Sequence, residues 1–215
     1  MISDGTQRST PFGEVPVSGL GYYPGFLARD RQEQLRDELQ TLLVKAPFYT
    51  PMMPRSGRPF TVRMSNLGRL GWVSDRTGYR YQPVHPETAE PWPSIPSIVM
   101  EVWHKVSAYP HEPEACLVNY YREGARMGLH RDEDEEDFSA PVVSISLGDT
   151  AIFRIGGTER GGKTETLKLS SGDVLVMAGP SRLRFHGIDR VLSGTSSLLK
   201  EGGRLNLTLR RVTKP

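Results

Sequence analysis

The sequence predicts a mainly β protein with flanking helices and a core of the β-sandwich or jelly-roll class. The main observation is a series of short runs, rich in β-branched and other apolar residues, that follows Pro113 and is punctuated by glycine-rich turns. A second observation is that the preceding part of the chain instead carries apolar residues at helical spacing. The runs cover residues 116–121, 142–147, 151–155, 164–169, 174–177, 183–188 and 205–209.

Two helices are predicted ahead of these strands. The first begins at Asp30, which precedes Glu33 by three residues as in a capping box, and Pro47 ends it. The second begins near Pro96 and places Trp103 in the core. The apolar stripe of the first helix, which we expect to pack on a sheet, consists of Leu35, Leu39, Leu42 and Leu43.

The segment from Pro47 to Pro93 is rich in proline, glycine, arginine and aromatic residues and shows little periodicity. It is too long for an ordinary connection inside a compact domain, so we interpret it as a lid over a binding site. The expected organisation is a flexible tail over residues 1–18, an extension with helices and lid over residues 19–112, and a β core over residues 113–215. The extension and the core are expected to form one compact unit.

Composition and charge restrict the class of protein. With 215 residues, 37% of them hydrophobic, the chain is long enough for one domain with a substantial core. A mean hydropathy of -0.43 and the lack of an apolar run of about 18 residues argue against a membrane protein. We find no signal peptide, and the single Cys116 cannot form an internal disulfide, so we expect a cytoplasmic protein. We also expect it to act as a monomer. The net charge of +2 permits nucleic acid as a partner without requiring it.

His130, Asp132 and His186 are the candidate metal ligands. Two imidazoles and one carboxylate on one face of a six-coordinate iron(II) leave positions open for a bidentate co-substrate and for oxygen. Side chains two residues apart on an extended segment point the same way, so His130 and Asp132 can act together. An H-x-D pair is weak evidence by itself, and His186 alone is better explained as a satisfied core histidine.

The run Arg204-Leu205-Asn206-Leu207-Thr208-Leu209-Arg210 changes this balance. On a strand its polar residues point to one face and its leucines to the other. Two arginines and an amide on one face suit a dicarboxylic acid, because the planar guanidinium donates in pairs to a carboxylate. Without the candidate metal ligands, a solvated basic edge strand would be the better interpretation. Asn119 and Tyr121 also share a strand face and are either contacts to the same acid or ordinary strand polarity.

The order of these motifs along the chain is specific. They are Asn119-x-Tyr121, His130-x-Asp132, His186 and Arg204-x-Asn206-x-Thr208-x-Arg210, with further matches at Leu70-Gly71-Trp72, Gly78-Tyr79-Arg80-Tyr81, Pro91-Trp92-Pro93 and residues 140–148. The chain thereby resembles the AlkB family of iron(II)- and 2-oxoglutarate-dependent nucleic-acid dealkylases, above all its bacterial members. The similarity runs from about Gly19 nearly to the C-terminus.

The resemblance implies a double-stranded β-helix core with an N-terminal helical extension and a nucleotide-recognition lid. It implies a dioxygenase of the bacterial cytosol that couples decarboxylation of 2-oxoglutarate by O2 to hydroxylation of the alkyl group on a base such as N1-methyladenine or N3-methylcytosine. A methyl group then leaves as formaldehyde. The implied iron ligands are His130, Asp132 and His186. The implied contacts to 2-oxoglutarate are Asn119, Tyr121, Arg204, Asn206 and Arg210.

Aromatic residues and arginines are interleaved in the predicted lid, which suits stacking on bases and neutralising phosphates. An arginine-rich loop with its aromatics folded onto the core is an equally open interpretation. The resemblance favours the first and implies that Trp72 stacks on a base flipped out of the strand, with His130 near its other face. The residues implied to hold the base and its backbone are Trp72, Tyr79, Arg80, Tyr81, Asp134 and Arg160.

The acidic run over residues 132–137 is unusual beside a nucleic-acid site, because its carboxylates repel phosphates. Such a run is ordinarily a solvated loop. Asp134 within it would instead favour a positively charged alkylated base over a neutral one. The family's bacterial pattern has Lys and Pro where this chain has Glu133 and Glu136. The added acidity favours single-stranded alkylated DNA, or RNA, or a small substrate over a long duplex.

Two other functions remain open from the sequence. An oxygenase of this kind could act on a protein or a small metabolite, and Trp72 and the lid arginines would then be incidental. The chain could also be a non-catalytic jelly-roll sensor of iron or of a dicarboxylate. The retention of all three candidate iron ligands argues against the sensor.

Overall fold

Strands dominate the part of the chain that the computed structural model describes, residues 17–215. The expected tail over residues 1–18 therefore lies almost wholly outside the described residues. In chain order the elements are β1 (Leu20–Tyr23), α1 (Arg29–Lys45), β2 (Arg63–Gly68), β3 (Gly71–Asp75), β4 (Gly78–Gln82), α2 (Ser97–Val106), β5 (Ala115–Tyr121), β6 (Met127–His130), β7 (Val142–Gly148), β8 (Thr150–Ile155), β9 (Glu165–Leu169), β10 (Val174–Met177), β11 (His186–Leu192) and β12 (Arg204–Arg210).

The strands form two antiparallel sheets and a separate hairpin. The larger sheet has six strands in the order β1-β10-β7-β12-β5-β2, and the smaller has four in the order β6-β11-β8-β9. Leu117 of the larger sheet and Phe153 of the smaller belong to one buried apolar cluster, so the sheets pack face to face. The remaining pair, β3 and β4, forms the hairpin. The predicted mainly β class with a jelly-roll core is confirmed.

The two helices cover the outer face of the larger sheet. Leu35 and Leu39 of α1 and Trp103 of α2 are fully buried in a second cluster, which they share with leucines of β12. Both helices were predicted, because their apolar residues recur at helical spacing. No helix within residues 17–215 combines the length and apolarity needed to cross a bilayer.

The start of α1 differs from the prediction. Its N-cap is Ala28, which provides no side-chain cap, and Asp30 lies inside the first turn. Glu33 accepts a hydrogen bond from Nε of Arg29 at 2.7 Å, one turn earlier on the helix surface. The expected capping box is therefore absent, and Glu33 is engaged in an i,i+4 ion pair instead.

Part of the segment interpreted as a lid is a core strand. β2 pairs with β5 at the edge of the larger sheet, and its four middle residues are buried. Two of these are polar, Ser65 and Asn66, which hid the strand from an apolar pattern. Ser65 donates to the carbonyl of Ala46 at 2.7 Å, and this bond satisfies its hydroxyl inside the protein. Among the strands of residues 17–215, only those of the hairpin β3–β4 stand apart from both sheets.

β12 is a central strand of the larger sheet, between β5 and β7. All seven of its residues are buried, so the alternative of a solvated edge strand is wrong. Its leucines join the cluster under the helices. Its polar residues consequently point into the space between the two sheets, where they line a cavity of about 290 Å³.

Candidate active site

His130, Asp132 and His186 converge where β6 pairs with β11. His130 ends β6, His186 begins β11, and the two residues are direct partners across the antiparallel pair. The sequence pattern predicted that the strand containing His186 begins at residue 183. In the structure β11 begins at His186, because residues 183–185 precede its pairing with β6 and β8. One ligand atom from each residue can be chosen so that all three lie within 4.8 Å of one another. Nε2 of His130 is 3.7 Å from Oδ1 of Asp132, and Nε2 of His186 is 4.0 Å from Oδ2.

Hydrogen bonds fix which imidazole nitrogen faces the carboxylate. Nδ1 of His130 lies 2.9 Å from the carbonyl oxygen of Gly128, and Nδ1 of His186 lies 3.0 Å from that of Arg184. A carbonyl oxygen only accepts, so Nδ1 carries the proton in a neutral ring and Nε2 presents its lone pair toward Asp132. Histidines that bind metals in proteins are oriented by bonds of this kind.

The charges of these groups also suit a divalent metal. Burial, together with the nearby His130, lowers the pKa of His186 to about 4. Burial alone would raise the pKa of Asp132, but Arg210 and the two imidazoles outweigh it and lower that pKa below its usual range. At neutral pH, His186 is therefore neutral and Asp132 is ionised. Two imidazoles and one carboxylate are the donor set of non-haem iron(II) oxygenases.

Arg210 holds the candidate ligand Asp132 from behind. Its Nε and one terminal nitrogen donate to Oδ2 of Asp132 at 3.2 and 3.0 Å. Burial lowers the pKa of Arg210, but the contact with Asp132 more than compensates and keeps the guanidinium charged. Arg210 therefore lies at the end of the cavity that holds the candidate metal ligands, and it is already bound to the carboxylate of Asp132.

Arg204 stands at the other end of β12 and has no carboxylate partner among residues 17–215. It is 1% exposed, and burial lowers its pKa to about 10, so it remains charged at neutral pH. One terminal nitrogen donates to the hydroxyl of Ser146 at 3.0 Å, while Nε and the other terminal nitrogen have no partner. Oδ1 of Asn119, also in the cavity wall, has none either. A buried cation with free donors is costly, and an anionic ligand would satisfy it.

The other predicted co-substrate residues lie in the same wall. Across β12 and β5, Arg204 is paired with Tyr121 and Asn206 with Asn119. Nδ2 of Asn206 donates to the hydroxyl of Ser144 at 2.7 Å, so this amide is held in place by the sheet. Burial raises the pKa of Tyr121 to about 12, which keeps its phenol protonated as a donor. A dicarboxylic acid such as 2-oxoglutarate thus fits between Arg204 and the candidate metal ligands.

Trp72 of the hairpin lies at the mouth of this cavity. Its indole N–H donates to Oδ2 of Asp134 at 2.7 Å, and its ring stacks on Tyr79 with centroids 5.4 Å apart. Asn66 fixes the backbone of Trp72 by one bond in each direction, both of 3.0 Å. Tyr79 is 51% exposed, so the stacked pair presents aromatic surface to solvent.

The remaining predicted substrate residues are placed differently. Across the hairpin, Trp72 faces Tyr81 while Val73 faces Arg80, so Arg80 points to the opposite face. Arg80 donates to Asp75 at 2.8 Å and is not part of the cavity wall. Tyr81 also stands outside the wall and donates to Glu135 at 2.5 Å. Arg160 does line the mouth, with its guanidinium 5.0 Å from the ring centre of Phe185.

Sequence reasoning missed three charged residues of the site, Glu135, Arg182 and Arg131. Glu135 and Arg182 are 5% and 2% exposed and form an ion pair of 3.0 Å behind Asp132. Arg131 lines the cavity, and its guanidinium lies 5.0 Å from the ring centre of Phe185. Glu135 looked solvated because it stands in a run of carboxylates, and neither arginine belongs to a pattern that predicts burial.

Comparison with known proteins agrees with this geometry. A model of the 2OG-Fe(II) oxygenase superfamily matches residues 19–210. An alpha-ketoglutarate-dependent dioxygenase AlkB homolog of Caulobacter vibrioides is 50% identical over 196 residues, which are 91% of this chain and 89% of that protein. The alpha-ketoglutarate-dependent dioxygenase AlkB of Escherichia coli is 40% identical over 186 residues, 85% of each chain.

Two further proteins extend the comparison. The solved structure of OsALKBH1 superimposes with a TM-score of 0.76 at 34% identity, over 90% of this chain and 96% of that one. A tRNA demethylase abh1 of Schizosaccharomyces pombe is 33% identical over 155 residues, 68% of this chain and 51% of that protein. The chain is a member of the AlkB family within the 2OG-Fe(II) oxygenase superfamily. It is accordingly an iron(II)- and 2-oxoglutarate-dependent dioxygenase.

Proposed function

We propose that this dioxygenase repairs nucleic acid by oxidative removal of alkyl groups from the nitrogens of bases such as N1-methyladenine and N3-methylcytosine. The observation that carries the proposal is the mouth of the cavity, where the aromatic pair Trp72–Tyr79 stands beside the carboxylate of Asp134. Stacking suits any flipped base, while a carboxylate favours a base that N-alkylation has made positively charged. Relatives named AlkB and tRNA demethylase support the same substrate class.

We assign iron(II) to His130, Asp132 and His186, whose Nε2 and carboxylate oxygens face one another. Iron(II) and 2-oxoglutarate, when bound, supply the oxidation of a carbon–hydrogen bond by O2. In our assignment Arg204 holds the carboxylate of 2-oxoglutarate far from the metal, with Asn119, Tyr121 and Asn206 beside it. Arg210 orients Asp132 at the near end. The unpaired nitrogens of buried Arg204 support this orientation of the acid.

Trp72, Tyr79, Asp134 and Arg160 are the proposed substrate contacts, with Arg160 opposite the backbone phosphate. Arg80 points to the opposite face of the hairpin and Tyr81 stands outside the cavity wall, so we do not assign them direct contacts to the base. The acidic residues Glu133 and Asp134 at the mouth are exposed and would repel the second strand of a duplex. We therefore propose single-stranded DNA, or RNA, as the preferred substrate, acted on by a monomer in the bacterial cytosol.

The test is to incubate the protein with iron(II), ascorbate, 2-oxoglutarate and N-methylated oligonucleotides, single- and double-stranded, and to read product masses. We expect a loss of one methylene unit from N1-methyladenine and N3-methylcytosine, with formaldehyde and succinate formed together. Free methylated nucleosides serve as the comparison. Turnover of nucleosides but not of oligonucleotides would reject nucleic acid in favour of a small metabolite.

Trp72→Ala provides the matched test of the substrate site. It should leave the substrate-free formation of succinate unchanged, because the hydrogen bond and the ring stacking of Trp72 are to Asp134 and Tyr79, neither of which is a candidate ligand of iron or 2-oxoglutarate. It should lower demethylation by about tenfold or more, as expected when a base loses its stacking partner. An unchanged demethylation rate would remove Trp72 from the substrate site.

A further inference from the structure

The segment over residues 132–140, which begins with the acidic run, is held from inside by Arg182. This buried side chain donates to Oε2 of Glu135 at 3.0 Å, to the carbonyl of Asp132 at 2.7 Å and to the carbonyl of Ala140 at 2.9 Å. The two carbonyls lie at opposite ends of the segment. One guanidinium therefore fixes both ends of the segment and the carboxylate between them.

Glu135 in turn contacts both the hairpin and the candidate metal ligand. Its Oε1 accepts the phenolic hydrogen bond of Tyr81 at 2.5 Å and lies 3.5 Å from Nε of Arg210. Arg210 donates to Asp132. A continuous series of polar contacts thus runs from Tyr81 on β4, through Glu135 and Arg210, to the carboxylate of Asp132.

A second contact between the same two parts of the molecule lies directly beside the first. Trp72 and Tyr81 face each other across the hairpin. Trp72 donates to Asp134 and Tyr81 donates to the neighbouring Glu135. The adjacent carboxylates of Asp134 and Glu135 therefore bind the two facing residues Trp72 and Tyr81. The hairpin and the segment that begins at Asp132 are thus joined by two neighbouring hydrogen bonds.

We propose that Glu135 is a positioning residue that couples the placement of the hairpin over the cavity to the orientation of Asp132. The buried network has two carboxylates and two guanidiniums, each with a partner, so a shift of one group disturbs its neighbours. A displacement of the hairpin moves Glu135 through its hydrogen bond with Tyr81. Because Glu135 also contacts Arg210, this movement changes the hydrogen bonds that Arg210 donates to Asp132. This role of Glu135 rests on the proposed function, because the coupling would make oxidation depend on a base bound against Trp72.

The experiment compares Tyr81→Phe with Tyr109→Phe in the full-length protein. Both changes remove one phenolic hydroxyl, and Tyr109 donates at 2.5 Å to Asp137, a carboxylate of the same acidic segment that has no contact with Glu135 or Asp132. The first readout is formaldehyde released per succinate formed on a single-stranded methylated oligonucleotide. The second is the visible charge-transfer absorption of the anaerobic complex with iron(II) and 2-oxoglutarate, before and after the oligonucleotide is added.

We expect Tyr81→Phe to lower the ratio of formaldehyde to succinate by about tenfold, the effect of losing a hydrogen bond to a charged group. The absorption change on adding the oligonucleotide should shrink in parallel, while Tyr109→Phe matches the wild type in both readouts. Glu135→Gln, which retains a side chain of the same size, should change both readouts in the same direction as Tyr81→Phe.

The outcomes separate the two proposals. A wild-type protein that forms succinate but releases no formaldehyde from any methylated oligonucleotide rejects the proposed function, and the coupling falls with it. A wild-type protein that demethylates, with Tyr81→Phe and Glu135→Gln retaining its ratio and its absorption change, rejects the coupling alone. Lower thermal stability with an unchanged ratio also rejects it, because Glu135 is then only a structural residue.

Discussion

The protonation of His186 makes the metal-free protein sensitive to acid. Its pKa is about 4 in the folded protein, whereas the unperturbed value is 6.5. As the pH falls through about 6.5, the unfolded chain takes up a proton that the folded protein does not, so the free energy of unfolding falls. The loss is complete once the pH is below about 4 and reaches on the order of 3 kcal/mol. Asp132, with its lowered pKa, adds a further loss at still lower pH.

Urea denaturation at a series of pH values in the presence of a chelator measures this dependence. His186→Gln provides the control, since glutamine does not titrate and is close in size. The variant should have a flatter profile between about pH 4 and pH 6.5. A profile equal to that of the wild type would mean that burial of the imidazole does not cause the acid sensitivity.

At the scale of residues, the sequence revealed site residues that belong to a recognisable motif and missed those that are defined only by their contacts in the fold. His130, Asp132 and His186 were predicted as metal ligands only in combination with the run Arg204–Arg210, and the structure brings the three together. Glu135 and Arg182 are both buried, but each depends for its burial on the other, 47 positions away in the chain. No local pattern encodes such a pair, so only the fold can show it.

At the scale of elements, the close approach of β6 and β11 depends on Gly187. A Cβ atom added there would lie 2.5 Å from the carbonyl oxygen of Met127 and 2.7 Å from that of Gly128. Both oxygens are backbone atoms, which cannot relieve the clash by a change of rotamer. Gly187→Ala must therefore increase the distance between β6 and β11. Since β6 carries His130 and β11 carries His186, we expect the variant to bind a divalent metal at least about tenfold more weakly, because ligand geometry is lost.

Gly128→Ala is the matched control, because Gly128 lies on β6 itself and a Cβ atom there meets nothing within 4 Å. Titration of both metal-free variants with Mn(II), followed by calorimetry, measures the affinities. Gly128→Ala should bind like the wild type. If Gly187→Ala did so as well, the spacing of the two strands would not determine the metal geometry.

The elements that the sequence predicted are those whose apolar residues recur at strand or helix spacing. β12 alternates leucines with polar residues, and α2 has its apolar residues at helical spacing, so both were found. β2 was missed because its sequence, Arg-Met-Ser-Asn-Leu-Gly, has polar residues at positions that the fold buries. β6 was missed because its sequence, Met-Gly-Leu-His, is short and contains glycine, which is uncommon in strands. Their strand character comes from pairing with distant partners, β5 and β11.

At the scale of the whole molecule, the site is shared between the two sheets. The smaller sheet carries His130 and His186, and the larger sheet carries Arg204, Arg210 and Asn119. The cavity lies between them, so a ligand that contacts both the metal and Arg204 bridges the two layers of the fold. A ligand that binds only the folded state raises the free energy of unfolding. A ligand that contacts both sheets should therefore stabilise the two sheets together.

Thermal denaturation with Mn(II), which replaces iron(II) without turnover, tests this sharing of the site. We expect Mn(II) to raise the melting temperature and 2-oxoglutarate to raise it further, by an increment that corresponds to about 2.7 kcal/mol at a hundredfold excess over its Kd. Arg204→Gln should retain the Mn(II) increment and lose most of the 2-oxoglutarate increment, because the guanidinium that has free donors is gone. The comparison uses increments within each protein, since removing a buried charge changes the baseline stability in either direction. A full 2-oxoglutarate increment in Arg204→Gln would place the distal carboxylate elsewhere, and the larger sheet would then not hold that end of the ligand.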